Sequence, residues 1–214
     1  MKQEKSDEPA SELLERIAAE KAKLIAEKKI KKEKPLLQIE EDEKSFVLPQ
    51  GWTWCRLGEV IMLLSGQDFP PTLYNDDHKG KPYITGASNL TSNGVLENRW
   101  TPRPTVIAKR GDFLLTCKGS GVGKTAFMDL PEAHIARQIM ALRPYAGVDV
   151  GYVALYVSAN FEFLKASANG LIPGIQRQIV VNMVLPLPPL SEQHRIVAKV
   201  KEMLSACDAF GGEG

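Results

Sequence analysis

The segment Gly119-Ser120-Gly121-Val122-Gly123-Lys124-Thr125 has residue types that suit phosphate chemistry: glycines let backbone N–H groups turn toward an anion, and a lysine adds charge. Its spacing argues against a nucleotide loop. A Walker A loop needs a glycine five positions before the glycine of its Gly-Lys-Thr, and Lys118 stands there. The residues that follow, Thr125-Ala126-Phe127-Met128 ahead of Asp129-Leu130-Pro131, read as a strand, whereas a P-loop runs into a helix whose N-terminus faces the phosphates. The expectation is a glycine-permitted turn between two strands, with Lys118, Ser120 and Lys124 at its tip. There, short polar and cationic side chains reach phosphates or base edges.

Other chemistry-bearing residues are scattered. His78, His134 and His194 fall in no HxxxH, HExxH or Cys/His spacing, and Cys55, Cys117 and Cys207 form no CxxC pair. There is no Gly-x-Ser-x-Gly elbow and no glycine-rich strand-turn-helix suited to a dinucleotide or S-adenosylmethionine, and the adjacent Asp76-Asp77 fits a turn better than a general-base pair. The expectation is a recognition module with no catalytic residue, no metal and no cofactor of its own.

The 214 residues carry 27 Lys+Arg against 26 Asp+Glu, with 43% hydrophobic residues, an ordinary globular composition long enough for a real core. Unperiodic Gly and Pro exclude a collagen-like chain, and three scattered cysteines exclude a disulfide scaffold. No leader-like segment opens the sequence, and apolar runs such as 60–64 fall far short of the roughly 20 residues that span a bilayer. A reduced, cytoplasmic protein with no membrane partner is expected. Charge is unevenly placed. Residues 1–45 hold 11 basic and 12 acidic side chains, while 99–143 hold eight basic ones (Arg99, Arg103, Lys109, Arg110, Lys118, Lys124, Arg137, Arg143) against three acidic. Such local positive density attracts a phosphate backbone.

The elements that must position these residues follow from periodicity. Residues 10–32 read as one long helix, capped by Ser6 or Asp7 and stopped by Pro35, with a narrow stripe of Leu13, Leu14, Ile17, Leu24 and Ile25. A second helix starts near Ser191 and ends at Gly211-Gly212; Ile196, Val200, Met203 and Cys207 form an a/d seam of about two heptads. Thin apolar stripes need partners, so the terminal helices are expected to pair with each other or with those of another chain. Between them, strands are expected at 60–64, 83–85, 113–116, 125–128, 139–142 and 180–185, and a helix at 150–168 stopped by Asn169-Gly170. Residues 67–81 and 89–99 read as long exposed loops. The fold class is α+β, a mixed-sheet domain flanked by long helices. Three regions follow: a spacer helix and linker (1–45), a recognition domain (46–190) and a C-terminal helix (191–214).

Leu48-Pro49-Gln50-Gly51-Trp52-Thr53-Trp54, followed by Arg56-Leu57-Gly58-Glu59, closely resembles the start of a target recognition domain in specificity subunits of type I restriction-modification enzymes. Pro82-Tyr83-Ile84-Thr85-Gly86 with Asn89-Leu90 is similar to the family's first central strand and loop. Arg110-Gly111-Asp112 and the Gly119 to Lys124 segment resemble its glycine turn, and Pro186-Leu187-Pro188-Pro189-Leu190 into Glu192-Gln193-His194-Arg195-Ile196 resembles the junction into its final helix. Asp7 to Leu14 resembles the end of the helical spacer that precedes a second recognition domain.

The resemblance implies a non-catalytic subunit that reads one half of a bipartite double-stranded DNA target. Modification subunits would supply S-adenosylmethionine-dependent adenine methylation, and a restriction subunit ATP- and Mg-dependent translocation and cleavage. A complete subunit has two recognition domains and this sequence has one, so a half-subunit, an interrupted reading frame or a fragment is expected. A two-fold homodimer through the terminal helices would then read an interrupted palindrome. Lys118, Ser120, Lys124 and Arg137 are expected at phosphates or guanine edges, and Asn89, Gln138, Gln176 and Arg177 at bases. Two other readings stay open at this point: a helical adaptor that binds another protein, and a P-loop nucleotide-binding protein.

Overall fold

The apolar runs at 113–116 and 139–142 lack polar alternation, as expected of strands covered on both faces. In the structure, a computed structural model describing residues 4, 7–167 and 174–211, they become β8 (Phe113–Thr116) and β11 (Ile139–Pro144) at the centre of an antiparallel sheet. Its flanking strands are β2 (Ile61–Ser65) and β9 (Thr125–Phe127), in the order β2-β11-β8-β9. Phe113, Leu115, Met140 and Leu142 point into a large core shared with the helices, whereas Leu114, Ile139 and Ala141 point into a smaller one. That smaller core is closed by a second sheet of β3 (Lys81–Ile84), β6 (Trp100–Thr101), β7 (Ile107–Lys109) and β10 (Glu132–Ile135), ordered β6-β3-β10-β7. Only the β3–β10 pairing is parallel. The architecture is mixed α+β, as expected.

The helices cover the outer face of the central sheet. In α1 (Ala10–Ala26), Ala10, Leu13 and Ile17 are buried in the large core, with Leu14 and Leu24 packed against it. The stripe therefore faces the domain instead of the other terminal helix. Asp7 does not cap α1. The Ala10 N–H donates to Gly51 O at 2.8 Å, while Asp7 takes bonds from Ser191 and Arg195 in the first turns of α6 (Leu190–Gly211). In α6, Val197 is buried against α3 (Val150–Ala159), and Ile196 and Val200 are partly covered. Met203 and Leu204 are more than half exposed, and Cys207 is exposed, so the outer half of the seam has no cover among the described residues. Among the described residues, α1 and α6 meet at a junction of their N-terminal ends.

Two expected boundaries shift for local reasons. The helix at 150–168 breaks at Asn160, whose side-chain Nδ2 donates to Tyr156 O and competes with the helical ladder; α4 (Phe161–Ser167) then restarts. The apolar run at 180–185 divides into α5 (Arg177–Val181) and β12 (Val184–Leu187), since a short buried run has no period that separates helix from strand. The region 89–99 is no open loop: β4 (Leu90–Thr91) and β5 (Gly94–Val95) form a small hairpin pinned by Asp129, which accepts from Val95 N–H at 2.9 Å. Ser6, Asn169, Gly170 and Gly212 lie outside the described residues.

The family-like segments are fasteners. β1 (Thr53–Arg56) pairs antiparallel with β12, joining the two ends of the domain. Trp52 donates its indole Nε1–H to Glu192, and the buried Gln193 accepts from Asp149 N–H and donates to Pro188 O. Arg56 is 3% exposed, and its guanidinium is satisfied by the carbonyls of Leu37, Gln38 and Asn182 and by both oxygens of Glu43. Glu59 accepts from the Arg56 N–H and so holds the start of α2 (Leu57–Val60). At Gly58 a Cβ would lie 2.9 Å from Val181, so glycine lets α2 approach α5.

Candidate nucleic-acid interface

β2, β3, β8 and β10 end, and β9 and β11 begin, at one rim of the two sheets, so the loops that follow and precede them gather there. The segment between β8 and β9 is the strand-joining turn expected from its glycines. Thr116 N–H donates to Lys124 O and Gly123 N–H to Thr116 O, and no helix follows, which removes the nucleotide-loop reading. Gly119 and Gly123 have φ of +88° and +91°. At Gly123 a Cβ would overlap the Phe161 ring, and at Gly121 it would overlap Ala87, so the turn is wedged between α4 and the loop after β3.

Neighbouring loops are stitched to this turn. Cys117 N–H donates to Gln138 O at 2.7 Å, and Ile175 N–H donates to Cys117 O at 2.8 Å. The Cys117 thiol is buried, which pushes its pKa up and keeps it protonated; it reaches Gln138 O at 3.3 Å. Gln138 donates its side-chain amide to Thr85 O at 3.3 Å and to Asp68 Oδ1 at 3.1 Å. Asp68 in turn accepts from the Arg137 N–H at 3.0 Å, and its Oδ2 makes an ion pair with Arg137 Nε at 2.7 Å.

The loop carrying Asp68 is anchored through His134, which is fully buried. Its Nε2 lies 2.8 Å from Gln67 O, and its Nδ1 faces the backbone N–H groups of Val106 at 3.2 Å and Thr105 at 3.4 Å. Two donors facing Nδ1 require the neutral tautomer protonated on Nε2. Burial holds the imidazole pKa below its ordinary value, and Phe69 stacks on the ring at 4.3 Å. His134 is therefore a structural pin, and among the described residues no group of His, Cys, Asp and Glu could hold a metal ion.

The expected contact residues separate into two sets. Lys118, Ser120, Lys124, Arg137 and Gln176 are exposed around this rim, and neither Lys118 nor Lys124 has an ion pair among the described residues. Asn89 is corrected: it is fully buried, with Oδ1 accepting from Thr85 and Gly86 and Nδ2 donating to Leu96 O and Asn98, so it shapes the loop and faces no solvent. Arg177 is also corrected, because its guanidinium is tied to Leu63 O, Ser65 Oγ and Glu33. Gln138 is half-buried, its amide turned to Asp68 and Thr85. Arg143, counted in the basic segment, is bound bidentate to the buried Asp112 and adds nothing to the rim. Asp68 was missed, since a lone acid in a Pro-rich loop carries no signal of the partner it meets 69 residues later.

Comparison with known proteins agrees with this arrangement. Residues 49–210 match the model of the type I restriction modification DNA specificity domain. The chain is 31% identical to the specificity subunits of the Escherichia coli type I restriction enzymes EcoEI and EcoAI, in each case over 96% of its length, and spans 38% and 37% of those relatives. The crystal structure of the HsdS subunit from Thermoanaerobacter tengcongensis superposes with a TM-score of 0.70 at 27% identity, covering 93% of this chain and 49% of that one. The chain thus spans well under half the length of these curated relatives, and about half of the solved subunit. A fasteners-and-rim design, with both family-like ends of the domain locked to each other and the loops gathered at one edge, places this chain in the family of type I restriction-modification DNA specificity domains.

Proposed function

We propose that this chain reads one half-site of double-stranded DNA for a type I restriction-modification complex, with residues 46–190 as the reading domain. The observation that carries the reading is the rim itself: Lys118, Lys124 and Arg137 stand outward on loops whose backbones are fixed by buried bonds. Unpaired lysines on a rigid turn supply phosphate contacts without the cost of ordering the loop backbone at binding. Modification subunits would methylate adenine with S-adenosylmethionine, and a restriction subunit would use ATP and Mg to cleave. The complex would act in the cytoplasm; among the described residues no helix is long and apolar enough to cross a membrane.

The uncovered half of α6 supports a partner there, and a second copy of this chain in two-fold symmetry is the proposed one. The near-neutral net charge of +1 makes strong solitary DNA binding unexpected, so affinity should build up with the modification subunits. The test is co-purification of the chain with the modification subunits of its own source, followed by selection of bound duplexes from a randomised pool. An enriched bipartite motif supports the reading; retention without sequence preference contradicts it.

A further inference from the structure

We propose that Arg137 reads a guanine of the half-site through the major groove, with Asp68 as its positioning residue; this rests on the DNA-reading function proposed above. Asp68 Oδ2 forms an ion pair with Arg137 Nε at 2.7 Å, and Oδ1 accepts from the Arg137 backbone N–H at 3.0 Å and the Gln138 amide at 3.1 Å. The ion pair anchors the guanidinium at its Nε edge. The fork of Nη1 and Nη2 has no partner among the described residues, on a side chain that is 67% exposed. The backbone that carries Asp68 is pinned on both sides. Gly66 N–H donates to Ile139 O and Gln67 N–H to Ile135 O; Gln67 O receives His134 Nε2, and Phe69 N–H donates to the Tyr83 hydroxyl.

Two physical considerations assign the fork to a base and not to a phosphate. The first is charge. Salt-dependent phosphate affinity comes from uncompensated cations that release counterions, and the carboxylate of Asp68 largely offsets Arg137, whereas Lys118 and Lys124 are uncompensated. The second is direction. A planar guanidinium fork matches the paired acceptors O6 and N7 of guanine, and the ion pair with Asp68 places the group at the rim before DNA arrives. A lysine has neither property. The rim thus divides its labour, with lysines on the glycine turn for the backbone and the Asp68-held arginine for sequence.

The experiment selects duplexes from a randomised double-stranded DNA pool with the assembled complex carrying wild-type chain, Arg137→Ala, Arg137→Lys, Asp68→Asn or Lys118→Ala, with thermal unfolding recorded for each. In the wild-type motif, Arg137→Ala should remove the preference at one G·C pair and leave every other position intact, with target affinity down roughly 10- to 100-fold. Arg137→Lys should lose the same preference while keeping its affinity for random duplex. Asp68→Asn should weaken preference at that same pair, and combining it with Arg137→Ala should add nothing. Lys118→Ala should lower affinity for all sequences alike. An unchanged motif in Arg137→Ala, or a uniform loss with a salt slope shallower by about one, overturns the base assignment. A folded wild-type complex that enriches no motif overturns the DNA-reading function and this assignment with it.

Discussion

The indole Nε1 of Trp52 lies 2.9 Å from Oε2 of Glu192, a hydrogen bond between side chains 140 residues apart that closes the domain where α6 begins. Glu192 is 5% exposed, and the bond sits beside the β1–β12 ladder, so it locks the start of the domain to the helix that leaves it. A charged acceptor this covered is costly to leave without its donor. Trp52→Phe keeps an aromatic ring, though a smaller one, and deletes the N–H, and should lower the unfolding free energy by about 1–3 kcal/mol. Glu192→Gln retains an acceptor oxygen and should cost less. Urea unfolding of the two variants measures the difference; equal, negligible costs would remove the lock.

The glycine turn separates backbone strain from crowding. Gly119 and Gly123 share a positive φ, but only Gly123 has a ring, that of Phe161, where a Cβ would go. Gly119→Ala should therefore cost about 1–2 kcal/mol from the left-handed backbone alone. Gly123→Ala adds a clash and should cost about 1–3 kcal/mol beyond that. Thermal unfolding of both variants tests this, since equal losses would mean that α4 does not press on the turn.

Acid should loosen the rim through His134. The folded protein holds its pKa below the unfolded value, about 6.5, so between those two values the unfolded chain binds the extra proton and the folded chain does not. This contribution to stability is present above about pH 6.5 and is lost as pH falls toward the folded pKa. Protonating Nδ1 also destroys the acceptor for the Val106 and Thr105 N–H groups. Melting temperature measured from pH 8 down to 5 should decline below about 6.5, and His134→Gln, which does not titrate, should flatten that decline. An unaltered slope in the variant would assign the pH dependence elsewhere.

Salt dependence distinguishes the two kinds of cation. Lys124→Ala in the assembled complex should lower affinity for cognate and random duplex alike and reduce the slope of log affinity against log salt by about one. Arg177→Ala, tied to Leu63 O and Glu33, should leave that slope unchanged and act on stability alone. A slope change with Arg177→Ala would put that arginine back at the DNA.

Those elements whose sequence carries its own local signal were legible. The hairpin of β8 and β9 follows from two apolar runs around a glycine cluster, and Lys118 at the glycine position of a Walker A loop argued against a nucleotide site that the strand at Thr125 then removed. The long-range partners were not legible. Leu13 and Ile17 show a stripe but not what covers it, and the stripe turned out to face the domain core instead of α6. Asn89 and Arg177 have side chains suited to bases, and only the fold shows that their hydrogen bonds are already taken. Asp68 became visible as a site residue only when the strands brought it to Arg137.

The central claim is that this chain chooses a DNA sequence for partner enzymes. Mapping methylated adenines in the DNA of cells that express the modification subunits, with and without this chain, tests it most directly. A methylated motif should appear only with the chain and consist of two identical half-sites in inverted orientation. A methylation pattern that stays the same when the chain is removed would contradict it.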